Sequence, residues 1–89
     1  MNDLLSEKDA RAVIEILTQE LGVAEAELKN DARLHGDLGA DSLTLVQISM
    51  ALEDRFSLSI SDERLEQVQT VGDVFELLAE LLPRRGGVR

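Results

Sequence analysis

The segment Asp37-Leu38-Gly39-Ala40-Asp41-Ser42-Leu43 gathers residue types that can do chemistry: one hydroxyl, two carboxylates and a glycine. A serine at the start of a helix is suited to carry a phosphodiester. The unpaired N–H groups and positive end of the helix favour an anion there. Gly39 gives the preceding loop freedom for a tight turn and lets another protein approach closely. Asp37 and Asp41 place carboxylates beside the hydroxyl, suited to a partner's basic groups or to a magnesium ion that the partner holds. The plainer alternative makes Ser42 an ordinary helix N-cap, with Asp41 before it by chance.

Intrinsic catalysis is not expected. A serine nucleophile needs a base with its orienting group and an oxyanion hole. His35 is the only imidazole in the chain, seven residues upstream in a predicted loop, where solvent exposure is the simpler reading. Gly39-Ala40-Asp41-Ser42-Leu43 is similar to the Gly-Asp-Ser-Leu hydrolases, but an alanine interrupts the order. Asp37, Gly39 and Asp41 alternate as in part of a calcium loop, yet the Asp-x-Asp-x-Asp-Gly order and the closing glutamate are missing. There is no cysteine, so disulfides, thiolate metal sites and a thiol nucleophile are all excluded.

The elements that must position this segment read as helices. Ser6 stands three residues before Asp9, close to the capping-box pattern. Ala10, Val13, Ile14, Leu17 and Leu21 then recur at helical spacing, and Gly22 supplies a stop. Val23 to Ala40 is irregular, with Val23, Leu28, Leu34 and Leu38 as apolar anchors of a long, partly pinned loop. A loop of that length in a small domain usually has a function. A second helix is predicted from about Ser42 to Phe56, apolar on more than one side as befits a central helix. Ser57 to Ile60 form a connector, and Ser61 caps a brief helix from Asp62 to Gln67. The last helix opens at Thr70, with Asp73 three residues on, and keeps its spacing to Leu82, where Pro83 ends it. The fold class expected is all-α: a small four-helix bundle of three main helices and one short one.

Composition agrees with that class. The chain has 89 residues, enough for one domain, and its 44% apolar content is almost wholly aliphatic, Phe56 and Phe75 being its only aromatics. Helix on helix suits such a core better than a sandwich rich in aromatic and β-branched residues. The formal charge is −9, and residues 1–83 hold six cationic against eighteen anionic side chains, or −12. Nucleic acid is therefore disfavoured as a partner, since binding it needs a basic footprint, and partners with basic surfaces are favoured. No signal peptide or membrane span is visible, so no membrane insertion and a soluble, cytoplasmic monomer are expected. A carrier domain over 1–83 and a disordered basic tail over 84–89 complete the expected organisation.

Leu38-Gly39-Ala40-Asp41-Ser42-Leu43 resembles the phosphopantetheine attachment motif of acyl carrier proteins. The resemblance continues through Val46, Met50-Ala51-Leu52-Glu53, Phe56, Ile60, Asp62-Glu63 and Thr70-Val71, and includes the first helix and Leu21-Gly22-Val23. It implies that Ser42 accepts a 4′-phosphopantetheine arm from coenzyme A, through a magnesium-dependent phosphopantetheinyl transferase. Asp41 and Asp37 match acids that contact that transferase, with Gly39 and Leu43 framing the serine. The arm then holds acyl groups as thioesters, which supplies thiol chemistry to a chain without cysteine. By the same resemblance the second helix is the recognition surface for acyltransferases, ketosynthases or acyl-ligases with basic patches. Asp37, Asp41, Glu53, Asp54, Asp62 and Glu63 are its acidic contacts. Val46, Met50, Leu65 and Val68 resemble positions lining the acyl-chain cavity, and are expected to be core in any case.

Departures from the motif bear on partner choice. Fatty-acid carriers commonly read Asp-Ser-Leu-Asp with another acid three residues on, but Thr44 and Gln47 stand there in this chain. Arg55 replaces a usual acid, and Ser61 a common proline. The pattern suggests a carrier dedicated to a specialised lipid, fatty-acid or polyketide pathway. Peptidyl or aminoacyl carriers usually show a second glycine, followed by His or Asp, just before Ser-Leu, and rank below this reading. An unmodified acidic interaction module is the remaining alternative.

Overall fold

A computed structural model describes residues 4–82; the Pro83 stop and the 84–89 tail lie outside the described residues. Four α-helices follow one another: α1 (Glu7–Leu21), α2 (Ser42–Phe56), α3 (Asp62–Gln67) and α4 (Val71–Leu81). The architecture is the all-α bundle expected, with its long loop between α1 and α2.

Capping chemistry sets the boundaries. Ser6 accepts the Asp9 N–H at 3.1 Å to start α1, and Gly22 at φ 69° ends it by donating to the Thr18 carbonyl. Ser61 accepts the Arg64 N–H at 3.2 Å to start α3. At α4, Thr70 and Asp73 each accept the other's backbone N–H at 3.1 Å, a full capping box.

The long loop is not structureless. It contains a short 3-10 turn at Glu25–Glu27, tied to α1 by an Arg11–Glu25 ion pair at 2.8 Å. It also pairs with the start of α4, where Arg33 and Thr70 form an isolated antiparallel bridge. Leu34 N–H donates to the Gln69 carbonyl at 2.9 Å, Val71 N–H to that of Ala32 at 3.0 Å, and Gly72 N–H to that of Asn30 at 2.8 Å. These last two donors belong to the first turn of α4, whose amides have no partner within the helix. The loop carbonyls therefore complete what the Thr70 cap begins.

The same tether puts loop side chains into the core. Leu34, Leu38 and Ala40 are buried with Val13 and Leu17 of α1, Ile48 and Leu52 of α2, and Val71, Phe75 and Leu78 of α4. Burying leucines such as Leu34 and Leu38 is worth about 1.5–3 kcal/mol each, which pins the loop just before α2. Among the described residues, no helix is long and apolar enough to cross a membrane.

Gly72 is the tightest point of this arrangement. A Cβ there would meet Asn30 Oδ1 at 2.9 Å and the Asn30 carbonyl oxygen at 3.0 Å. Alanine normally gains about 0.5–1 kcal/mol over glycine inside a helix, but overpacking costs about 1–3 kcal/mol. Gly72→Ala is expected to destabilise the domain by roughly 1 kcal/mol, read as a lower urea midpoint with an unchanged m value.

Candidate functional site

The residues before α2 form a hydrogen-bonded turn. Asp37 closes it twice: its carboxylate accepts the Arg33 N–H at 2.9 Å, and its own N–H donates to the Arg33 carbonyl at 2.9 Å. Leu38 N–H also reaches the Arg33 carbonyl, at 3.0 Å, and Ala40 N–H reaches that of Leu34 at 2.8 Å. Gly39 lies between them at φ 77°, a left-handed conformation that glycine adopts without penalty. A Cβ there would meet nothing within 4 Å, so the glycine answers to backbone conformation and leaves open space on its outer side.

This turn delivers Asp41 in extended conformation as the N-cap of α2. Oδ1 of Asp41 accepts the Thr44 N–H at 2.8 Å and the Thr44 hydroxyl at 2.9 Å. The helix starts at Ser42 as expected, and the alternative that made Ser42 its cap is excluded. The two residues are adjacent and both are good caps, and the backbone assigns the role to the aspartate. Ser42 becomes the first residue of the helix, exposed, and its hydroxyl has no hydrogen-bond partner among the described residues. No acid occupies the first turn of α2. The hydroxyl thus stands at the positive end of a helix, with helix-start amides near it.

The two bonds from Thr44, backbone first and hydroxyl second, hold the Asp41 carboxyl below its ordinary range, against a smaller opposing effect of desolvation. His35 is exposed in the turn, as expected of a loop residue.

The outer face of α2 differs from expectation. Leu43, Val46 and Met50, at successive helical steps, are 65%, 44% and 61% exposed. Val46 and Met50 are therefore not core residues. Ile48 and Leu52 take the buried positions instead, with Leu45 and Phe56 packed partly against the core. Ser49 is buried too, its hydroxyl donating to the Val46 carbonyl at 2.8 Å. Leu65 and Val68 do pack against the core, so the four residues assigned to one cavity are divided between surface and interior. Val68 also lines a cleft of about 110 Å³ between α3 and α4, whose other walls include Arg64, Asp73, Glu76 and Glu80. The Arg64–Glu80 ion pair crosses it, so the cleft is polar.

The acids assigned to recognition have unequal freedom. Asp54, Asp62 and Glu63 are exposed. Glu53 is half-buried, and its carboxylate accepts the Ile60 N–H at 2.7 Å, fixing the connector after α2. Arg55, standing where an acid is usual, lies in the last turn of α2, where a cation suits the helix dipole. Sequence reasoning missed three features: the Asp41 cap, the Thr44 hydroxyl on it and the Glu53 tether. The spacing of Asp41 and Thr44 was a usable signal for the first two.

A family described as the phosphopantetheine attachment site matches residues 11–78. With most of its length matched, the chain belongs to the phosphopantetheine attachment-site family. It is a carrier that bears a covalent 4′-phosphopantetheine arm, and it is not an enzyme. Its dealings are with a phosphopantetheinyl transferase and with the enzymes of the pathway it serves. The residues present fit such an arm: a phosphodiester needs an accessible hydroxyl and gains from helix-start amides, and Ser42 has both.

The capping charge makes a pH prediction. A carboxyl with its native pKa lowered adds stability that is present above its unfolded pKa of about 3.9. That contribution is lost as pH falls through the native value. Asn is as good a cap as Asp but carries no charge. Asp41→Asn is therefore expected to lower the urea midpoint at pH 7, the difference from the parent shrinking from about pH 4 downward and vanishing only once pH is below the native pKa.

Proposed function

We propose that the chain is an acyl carrier protein whose arm is attached to Ser42 and which serves one specialised lipid, fatty-acid or polyketide pathway. The observation that carries the attachment site is the exposed, unpartnered Ser42 hydroxyl at the first position of α2, beside a cap that Asp41 fills. When bound, the arm supplies the terminal thiol that the chain's own side chains lack. Asp41 and the exposed flank of Asp37 offer negative charge to the loading enzyme, and the open space outside Gly39 lets it approach the serine.

Ala40 supports the acyl over the peptidyl type. It is 2% exposed and belongs to the core cluster. Its methyl group fills space at the position where peptidyl carriers usually place their second glycine.

The dedicated pathway is supported by the face next to the serine. Leu43 to Leu52 contain no charged side chain, and three exposed apolar residues lie along it. Asp54, Asp62 and Glu63 stand further off, at the end of α2 and the start of α3. A partner docking here meets apolar surface first and charge at the rim. Rim pairs are worth only about 0.2–1 kcal/mol each, so they act more on encounter and partner choice than on affinity.

Two experiments test these statements. Intact mass after incubation with coenzyme A, magnesium and a broad-specificity phosphopantetheinyl transferase is expected to show one added arm on the parent and none on Ser42→Ala. An unmodified parent beside a modified control carrier would defeat the proposal. Once loaded, the protein is expected to support elongation by general fatty-acid synthase enzymes at least about tenfold less well than their own carrier, a discrimination of about 1.4 kcal/mol. Equal support would remove the dedicated-pathway reading and leave the attachment site standing.

A further inference from the structure

Thr44 gives the Asp41 cap more than the helix requires. An N-cap carboxylate needs one backbone N–H, and the Thr44 amide already supplies it at 2.8 Å. The Thr44 hydroxyl then donates to the same oxygen, Oδ1, at 2.9 Å. The helix gains no satisfied backbone group from this second bond. Its effect falls on the carboxylate, whose rotation about the Cβ–Cγ bond is now opposed by two donors. With both bonds on Oδ1, the other oxygen accepts no hydrogen bond among the described residues, on an exposed residue next to Ser42. Ser42 itself has no local partner to orient it, so the fixed carboxylate is the ordered polar group adjoining an otherwise undirected hydroxyl.

We propose that Thr44 is a positioning residue for the loading of Ser42: through Oδ1 it holds the Asp41 carboxylate in one orientation, so that Oδ2 meets the cationic groups of the loading enzyme. This inference rests on Ser42 as the attachment site. In that reaction the Ser42 oxygen bonds the phosphorus that carries the pantetheine arm of coenzyme A. The bond from that phosphorus to the bridging oxygen breaks, adenosine 3′,5′-bisphosphate leaves with the electron pair, and the serine proton passes to a base of the transferase. Thr44 touches none of these atoms. Its influence is on recognition, and it belongs in KM for the carrier. The lowered range of the Asp41 carboxyl agrees with the same pair of bonds.

The test compares the parent with Thr44→Val, which keeps the shape and backbone N–H but removes the hydroxyl, and with Thr44→Ser, which restores it. Loading by a broad-specificity phosphopantetheinyl transferase with coenzyme A and magnesium is followed by intact mass across a range of carrier concentrations. Thr44→Val is expected to raise KM about three- to tenfold, the worth of one ordinary hydrogen bond, with kcat little changed. Thr44→Ser is expected to return KM to within about twofold of the parent. In parallel, an NMR titration of the Asp41 carboxyl should show its pKa rising in Thr44→Val and not in Thr44→Ser. A valine variant loaded with the parent's KM, or a serine variant as impaired as valine, overturns the role given to Thr44 while Ser42 stands. A parent that is not loaded, beside a loaded control, overturns the Ser42 reading and this inference with it.

Discussion

An α-helix begins with amide groups that its own turns cannot satisfy, and at α2 one aspartate side chain supplies the missing acceptor. Much of the functional surface depends on that being Asp41. Had Ser42 taken the cap, its hydroxyl would be engaged with a backbone N–H one turn on, and esterifying it would unmake the start of the helix. With the aspartate in that place the hydroxyl stands outside the hydrogen-bonding of the fold. Modification at Ser42, as proposed, would then leave the cap intact, separating the chemistry from the stability of α2 by a single residue.

Asp41 can reach its place only because the chain before it is held. Leu34, Leu38 and Ala40 are buried, and the Arg33–Leu38 turn is closed by Asp37. Upstream, the loop lies against Gln69 to Gly72 and fills the donors at the start of α4. The arrangement couples two helix starts: the segment that completes α4 also carries the residues that lead into α2. Weakening the contact at Gly72 would therefore loosen both, although Gly72 itself is remote in sequence from Ser42. Local opening draws on the least buried parts of a structure, and this loop avoids that fate through its three core side chains.

Helix existence and boundaries were largely legible in the sequence, because capping is local chemistry. Ser6, Gly22, Ser61 and the Thr70–Asp73 pair each announce an end within three or four residues, and the structure places helix termini at all of them. The family was equally legible as a run of residue types. Other features had no local sign. The pairing of Arg33 with Thr70 joins residues far apart in sequence, and no periodicity reports it. The choice between Asp41 and Ser42 as cap depends on a backbone angle, since both side chains can do the work. The exposure of Val46 and Met50 was hidden by the composition of α2, whose apolar residues occupy its outer as well as its inner side. Glu53 looked like one more surface acid until its carboxylate was seen on the Ile60 amide.

That composition raises a physical question about α2 that its ends answer. A helix with one apolar stripe is oriented by burial, since any rotation about its axis exposes that stripe. In α2, turning Leu43, Val46 and Met50 inward would replace apolar side chains with others of similar kind, so the area buried would change little. In the observed setting Ile48 and Leu52 take the buried positions. Directional bonds at the two ends add what burial leaves weak. At the start Asp41 accepts two donors from Thr44, and at the finish Glu53 reaches seven residues on to the Ile60 amide. Ser57, in a left-handed conformation at φ 56°, turns the chain sharply enough for Ile60 to come back to it. The polar residues bracketing α2 are thus what fix the direction in which its apolar outer face, and the serine at its head, are presented.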